Sequence, residues 1–391
     1  MERISFYKAD VTELEKNLIE NVLESKILTA GPFLWRFQEE VRRYLKAPYF
    51  LATSSGFSAL HIAIKVLGWG RGDEVILSPL VHVGVPNALC AEGIGLQVVD
   101  IEQDRFTLDP EKVREFIMDN YEKDKSGLKN KVTGRVLRGI VLYHLYGIPC
   151  DLKAFLKLKE EFGLDLLEVC WESFGSTYKF AGEAVLTGIT GDVGVFSFTR
   201  YGAVNVGEGG GVAFKSGEHY EVGESLRYYG VPTEYVEYQA IVGGYNYNLD
   251  ELSSAIGLGQ MMRISEILNK RKKIRELYEK ELSKIGGIRL IGAPGDSEVS
   301  WYSLTVLLPE GVDRDGLIRR LMEMGVPAKV FYPLLTDLKF YRENFREFDS
   351  ADLTVARKIS SRLLSLPFHG DLTESDVSYV VESLREALIA K

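Results

Sequence analysis

Two stretches of this chain combine residue types able to hold a phosphate group. The first, Thr53-Ser54-Ser55-Gly56-Phe57-Ser58, follows the apolar run Tyr49-Phe50-Leu51-Ala52 and precedes a helical pattern carrying Ala59, Leu60, Ile62, Ala63, Val66 and Leu67. A strand feeding a Ser/Gly turn and then a helix start leaves unpaired backbone N–H groups at a positive helix end, which suits an anion. Many helix caps share this composition, so the turn alone is a weak pointer. The second stretch is Phe196-Ser197-Phe198-Thr199-Arg200-Tyr201-Gly202-Ala203-Val204-Asn205-Val206-Gly207-Glu208-Gly209-Gly210. Taken by itself it reads as a tight β-connection with close backbone packing, because glycine permits conformations that other residues resist.

Elements able to bring these stretches together recur along the chain. Residues 11–25 and 34–46 read as amphipathic helices, with Phe33, Phe37, Val41 and Leu45 near helical spacing. Strand patterns at 74–77, 96–100, 139–143 and 164–169 alternate with helix patterns at 83–92, 110–121 and 151–163. The polar run 122–131 reads as a mobile surface loop. Such alternation predicts a mostly parallel sheet with helices on both faces and a ligand crevice beyond the carboxyl ends of the strands. The Ser/Gly turn, the loop carrying His82, residues 144–147, residues 170–175 and the stretch from Phe196 all follow expected strands, so they can converge there. From 250 to about 285 a helical pattern leads to a second region, with strands expected at 303–308 and 326–331 and helices at 313–324 and 374–390. The fold class read from this is α/β: a large domain over 1–255 and a smaller C-terminal α+β domain over 256–391.

Composition narrows the function. The 391 residues carry a formal net charge of −9 and five histidines, which gives no nucleic-acid footprint. The basic run Lys270-Arg271-Lys272-Lys273 lies in a Glu-rich helical pattern and reads as a solvated face. No segment approaches the roughly 18 apolar residues of a membrane span, and the N-terminus lacks an apolar signal core. A cytoplasmic location is the expectation. Cys90, Cys150 and Cys170 show neither Cys-x-x-Cys spacing nor a disulfide framework, so no metal site is expected from them.

Taken in order, the motifs resemble a known family: the fold type I, pyridoxal-phosphate (PLP) dependent nucleotide-sugar aminotransferases of the DegT/DnrJ/StrS group. They include Thr29-Ala30-Gly31-Pro32, Ser54-Ser55-Gly56 with Ala59-Leu60-His61, Gly72-Asp73-Glu74-Val75-Ile76, and Val99-Asp100-Ile101 with Asp109-Pro110. Further along come His144-Leu145-Tyr146-Gly147, Gly191-Asp192-Val193-Gly194, Gly207-Glu208-Gly209-Gly210, Gly244-Tyr245-Asn246-Tyr247-Asn248, Ala255-Ile256-Gly257 and Leu364-Ser365-Leu366-Pro367. The resemblance implies that amides of Phe57 and Ser58, the Ser58 hydroxyl and Ser197 hold a coenzyme phosphate. It implies that Asn246 reaches the phosphate of a neighbouring subunit, and that His82 stands where an aromatic stacks on the pyridine ring. The plainer alternative for His82 is a loop residue with no role.

Two departures follow from the same alignment of motifs. The family's strand ends in Glu-Asp, small residues and a Gln, whereas this chain reads Glu168-Val169-Cys170-Trp171-Glu172-Ser173-Phe174-Gly175. Val169 therefore replaces the aspartate that keeps the pyridine nitrogen protonated, a bond worth about 1.5–3 kcal/mol. Glu172 would face the ring's phenolic oxygen, and Glu168 should point to the other side of the strand. The Schiff-base lysine is expected five residues beyond Ser197 and five before Gly207, and both counts reach Gly202. No lysine lies between Lys179 and Lys215. That amine binds the coenzyme covalently and moves the substrate proton.

These departures point to a non-catalytic or functionally altered relative that binds a nucleotide-sugar-like ligand. Such a chain would form a homodimer, or a heterodimer with an active paralogue. The alternative is an active aminotransferase or dehydratase using PLP or pyridoxamine phosphate (PMP) noncovalently on a keto nucleotide sugar, with Tyr201 or His82 as substitute acid–base groups. Asn248 stands where many relatives carry an arginine near the donor carboxylate. An unrelated dinucleotide-binding enzyme would need a Gly-x-Gly-x-x-Gly turn that residues 53–58 do not supply. Substrate contacts are expected in loops 121–132, 216–240 and 332–348.

Overall fold

The computed structural model describes residues 4–389 apart from 126, 181, 233–238, 346–347 and 349–350. The strand and helix signals build one dominant nine-stranded sheet. Its strands are β1 (Tyr49–Thr53), β2 (Asp73–Leu77), β3 (Gly95–Val98), β4 (Tyr121–Asp124), β5 (Gly127–Asn130), β6 (Val136–Tyr143) and β7 (Asp165–Val169). After a side hairpin of β8 (Thr177–Phe180) and β9 (Glu183–Leu186), β10 (Val193–Ser197) and β11 (Gly210–Phe214) complete it. The main path runs β1-β11-β10-β7-β6-β2-β3, and β11 alone on that path opposes its neighbours. Burial on both faces explains why Val75–Leu77 of β2 and Leu166–Leu167 of β7 are consecutive apolar residues instead of alternating ones, the buried Glu74 and Glu168 being hydrogen-bonded.

Helices cover both faces: α1 (Glu13–Ser25), α2 (Pro32–Leu45), α3 (Gly56–Val66), α4 (Gly84–Ala91), α5 (Pro110–Asn120) and α6 (Leu152–Phe162). α7 (Gly217–Arg227), α8 (Glu251–Met262) and α9 (Ile264–Leu282) follow. The motif around Gly31 is explained by α8, whose buried Glu251 accepts bonds from the N–H groups of Gly31, Phe33 and Leu34 and so caps α2.

The C-terminal part holds the short strands β12 (Arg289–Leu290), β13 (Ser297–Glu298), β14 (Leu304–Leu307) and β15 (Leu363–Leu366). Around them lie α10 (Arg314–Glu323), α11 (Lys339–Asn344), α12 (Thr354–Ser360) and α13 (Glu374–Ile389). The expected boundary after residue 255 falls within α8. One apolar core continues from Leu51, Val75 and Val169 to Leu304, Val306, Leu364 and Leu384. The N-terminal strap joins it: Phe368 N donates to Phe6 O and Ile4 N to Gly325 O.

Two expectations are corrected. In place of the mobile loop expected at 122–131, residues 122–124 belong to β4 and residues 127–130 to β5, a hairpin that pairs onto the start of β6. What orders it is a buried carboxylate, Glu74, which accepts from Tyr121 Oη, Asn130 Nδ2 at 2.7 Å, Thr133 Oγ1 at 2.9 Å and Gln97 Nε2 at 3.1 Å. The expected strand at 326–331 shrinks to one bridge between Lys329 and Ser365. Of the loops expected to carry substrate contacts, residues 126, 233–238 and 346–347 lie outside the described residues, as does residue 390 of the last expected helix.

Candidate functional site

Five strand ends deliver the site. Behind β1, Ser54 and Ser55 enter α3 through a capping box in which Ser55 Oγ accepts from Ser58 N, and Ser58 Oγ accepts from Ser55 N at 2.9 Å. Ser58 Oγ also donates to Ser55 O at 2.8 Å, so its hydroxyl is spent inside the cap. The glycine cluster lets β11 pass beneath this turn: a Cβ on Gly210 would lie 2.4 Å from Ser55 O. A Cβ on Gly56 would lie 2.7 Å from Ser197 Cβ and 3.1 Å from Trp171 Cε2. Glycine is therefore required where the α3 turn, β10 and the β7 end meet.

The cleft so formed has a volume of about 460 Å³. Phe57, His82, Trp171, Glu172, Ser197 and Tyr201 all line it, with Tyr143, Tyr302 and Tyr332 adding phenols. Val169 is fully buried in the apolar core and is not among the lining residues. Glu168, as expected, leaves for the opposite side, where it accepts from the N–H groups of Gly188, Thr190 and Gly191 and from His144 Nε2. Asn246 is exposed, bridges to Tyr228 and lies outside this cleft's lining.

Trp171 is the residue that sequence reasoning quoted without giving it a task. Its indole fills the space between the α3 turn and α4: a Cβ on Gly84 would be 3.0 Å from Cη2 and Cζ3. His82 meets the indole edge-on, with centroids 5.4 Å apart and planes at 70°, and meets Tyr332 at 87°. The Gly84 N–H donates to His82 Nδ1, and burial holds the imidazole pKa below its usual value. Trp171 is 9% exposed, and its Nε1 has no hydrogen-bond partner. A readable signal existed, since this large ring stands where the family carries small residues.

Glu172 closes the floor. Its carboxyl accepts from Tyr143 Oη at 2.7 Å, Tyr332 Oη at 2.5 Å and Tyr146 N at 2.5 Å. Burial raises its pKa to about 7 against those three bonds, which favour the anion. Its folded pKa therefore lies above the ordinary carboxylate value, so protons bind more tightly in the folded state. Stability should fall as pH rises from about 5 to about 7. Glu102, also raised to about 7 by burial, contributes in the same direction. Glu172→Gln should flatten the Glu172 share of that slope in thermal melts across this range, so the comparison with wild type isolates it.

Among the described residues, no amine lines the cleft. Gly202 lies away from it, and a Cβ there would face Val204 O at 3.1 Å and Thr199 O at 3.4 Å. Lys329 donates to Tyr201 Oη at 2.9 Å and packs over the rings of Phe6 and Tyr201, behind the wall. Among the described residues, His144, Glu168 and Cys170 bring potential metal ligands together. Cys150 N donates to His144 Nδ1, which places the ring proton on Nε2 facing Glu168. Both imidazole nitrogens are thus engaged, and the group is a structural brace. The three cysteines are free, and burial pushes the Cys90 thiol up to about 11 and Cys170 well above its usual value.

The sequence pattern of the DegT/DnrJ/EryC1/StrS aminotransferase family matches residues 9–385. GDP-perosamine synthase of Escherichia coli O157:H7 is 26% identical over 388 residues, 99% of each chain. The aminotransferase TlmJ of Streptoalloteichus hindustanus superposes with a TM-score of 0.87 at 27% identity over 99% of each chain. A Streptococcus pneumoniae sugar aminotransferase solved in its PLP form gives 0.86 at 23% identity over 98% of each chain, and its PMP form has also been solved. No helix among the described residues is long and apolar enough to cross a membrane.

The described lining of the cleft offers Ser197 to a phosphate but no amine to the aldehyde of PLP, and the indole of Trp171 packs against the α3 turn and His82.

Proposed function

Because this chain belongs to the DegT/DnrJ/EryC1/StrS aminotransferase family, we propose that it is a nucleotide-sugar-binding member that does not carry out amino transfer. The observation that carries this is the cleft without an amine, floored by Trp171 and Glu172. Aromatic walls beside hydrogen-bonding groups suit a sugar ring with its hydroxyls. The retained Ser197 in the cleft lends weight to a second reading, in which PLP or PMP binds noncovalently to an active enzyme.

The chain works as a homodimer, or pairs with an active paralogue. Supporting this, Leu23, Ile27, Leu28, Trp35 and Ile241 are exposed apolar side chains, and exposed Asn246 is free to serve a neighbour's cleft. The protein acts in the cytoplasm, with a large domain over 1–255 and a small one over 256–391. Phe57 and Ser58 border the anion-binding turn, and His82 orients the indole.

Calorimetry with nucleotide-linked hexoses should register binding to protein purified without added coenzyme. Glutamate-dependent amino transfer to a keto-sugar nucleotide should be absent even with PLP added. Sustained transfer would favour the noncovalent-coenzyme reading instead.

A further inference from the structure

Tyr201 is held in a conformation that its side chain resists. Its backbone is left-handed, with φ of +76°, although the next residue, Gly202, has no side chain to object. Strain of this kind persists only where the surroundings enforce it, and it gathers at ligand sites. Here Arg271 Nη2 donates to Tyr201 O at 2.9 Å, and the ring packs against Phe6, Tyr7, Tyr302 and Phe331. These neighbours belong to the N-terminal strap and the C-terminal part, so Tyr201 stands on a different wall of the cleft from the α3 turn.

What the strain positions is a phenol backed by positive charge. Lys329 Nζ donates to Tyr201 Oη at 2.9 Å, and the O–H of Tyr201 itself has no acceptor among the described residues. Half-buried Lys329 forms no salt bridge among those residues and rests on the rings of Phe6 and Tyr201. Arg271, 5% exposed, gives its bonds to the carbonyls of Tyr201, Trp301 and Tyr302 and likewise meets no carboxylate there. Burial lowers its pKa only to about 10, which leaves it charged at neutral pH. Asp10, which shares a small cavity with Arg271, is taken up by Arg263 and Lys270. Glu172 is enclosed by three donors, and at the exposed rim Arg200 offsets Glu208. Two sheltered cations without a counter-ion make this wall positive, and hydrogen bonds in series strengthen the last donor.

We propose that Tyr201 Oη, backed by Lys329, is the contact for a carboxylate on the sugar ring of the ligand, so that the cleft takes nucleotide-linked uronic acids in preference to neutral hexoses. This rests on the reading that the cleft binds a nucleotide sugar. A hydroxymethyl group in the same place would leave the cations uncompensated, whereas a carboxylate supplies the missing counter-charge through a charge-assisted bond. The diphosphate is common to both kinds of ligand and contributes nothing to the choice.

Calorimetry on the full chain at neutral pH compares UDP-glucuronate with UDP-glucose and GDP-mannuronate with GDP-mannose. Each pair differs only in a carboxylate for a hydroxymethyl group. In whichever pair binds, the acid should bind at least about tenfold tighter. Tyr201→Phe and Lys329→Met should each bring that ratio to about one, and Lys329→Arg, which keeps the cation, should retain most of it. A merely structural loss would weaken both members of a pair and leave the ratio standing, and thermal melts confirm that the variants fold. Equal affinities within each pair in the wild type, or a preference that survives both Tyr201→Phe and Lys329→Met, would overturn the carboxylate contact and leave the nucleotide-sugar reading intact. Binding of none of these nucleotides would end both. Glutamate or 2-oxoglutarate binding to the wild type in place of the uronates, and not to Tyr201→Phe, would give the contact to a free acid and overturn the assignment to a sugar.

Discussion

Gly202→Lys alone will leave the protein colourless with PLP, whereas Gly202→Lys, Val169→Asp and Trp171→Ala together will give a yellow protein. The single change restores an amine but not a space. Position 202 accepts a Cβ with a shift of a few tenths of an ångström from Val204 O, and its backbone is not left-handed. The indole, however, still lies against Gly56 and Gly84. Trp171→Ala removes it, and Val169→Asp sets a carboxylate where the family resemblance places the partner of the ring nitrogen, a charge-assisted bond worth about 1.5–3 kcal/mol. The amine matters most for turnover, since a positioned acid–base group commonly contributes about 10²–10⁴ in rate. Absorbance and borohydride trapping read the outcome. Colour from Gly202→Lys by itself would mean that the indole does not block the slot.

Glu168→Ala should cost several kcal/mol of folding stability, since each buried donor left unpaired costs about 1–3 kcal/mol. Burial pushes this carboxyl's pKa up, but bonds from His144 and from the N–H groups of Gly191 and Gly188 outweigh it and hold the value below 4.5. Truncation would strand three backbone donors and an imidazole in the interior. The sign of the pH effect follows. A carboxyl with a depressed folded pKa stabilises above its unfolded value near 4.5, and that contribution is lost as pH falls through the folded value. Denaturant titrations at pH 7 and pH 4 should therefore show a smaller difference between wild type and Glu168→Ala at the lower pH. Glu168→Gln should also destabilise, because its amide nitrogen would face a backbone N–H. Equal stability of wild type and Glu168→Ala at pH 7 would contradict the brace.

Much of the sheet was legible because its strands are buried on both faces and bounded by Gly and Ser turns. The convergence of the Ser/Gly turn, His82, the 170–175 loop and Ser197 on one crevice followed from strand ends alone. Local polarity misled at 122–131, where one buried carboxylate from β2 recruits Tyr121 and Asn130 across some fifty positions, a pairing no window reveals. At 326–331 the apolar run is real, but Phe331 and Tyr332 are spent on the aromatic floor instead of a ladder. The site's departures were readable as missing groups, Val169 and Gly202. What filled the space was not, because a tryptophan's direction depends on the two glycines that let it in.

The wild-type protein itself offers the most direct test: incubation with excess PLP, borohydride reduction, and intact mass with peptide mapping. An unmodified protein, with neither a stable visible band nor a stoichiometric adduct on Lys329 or any other lysine, is the expected result. A single stoichiometric pyridoxyl adduct on a lysine that reaches the cleft would contradict the account.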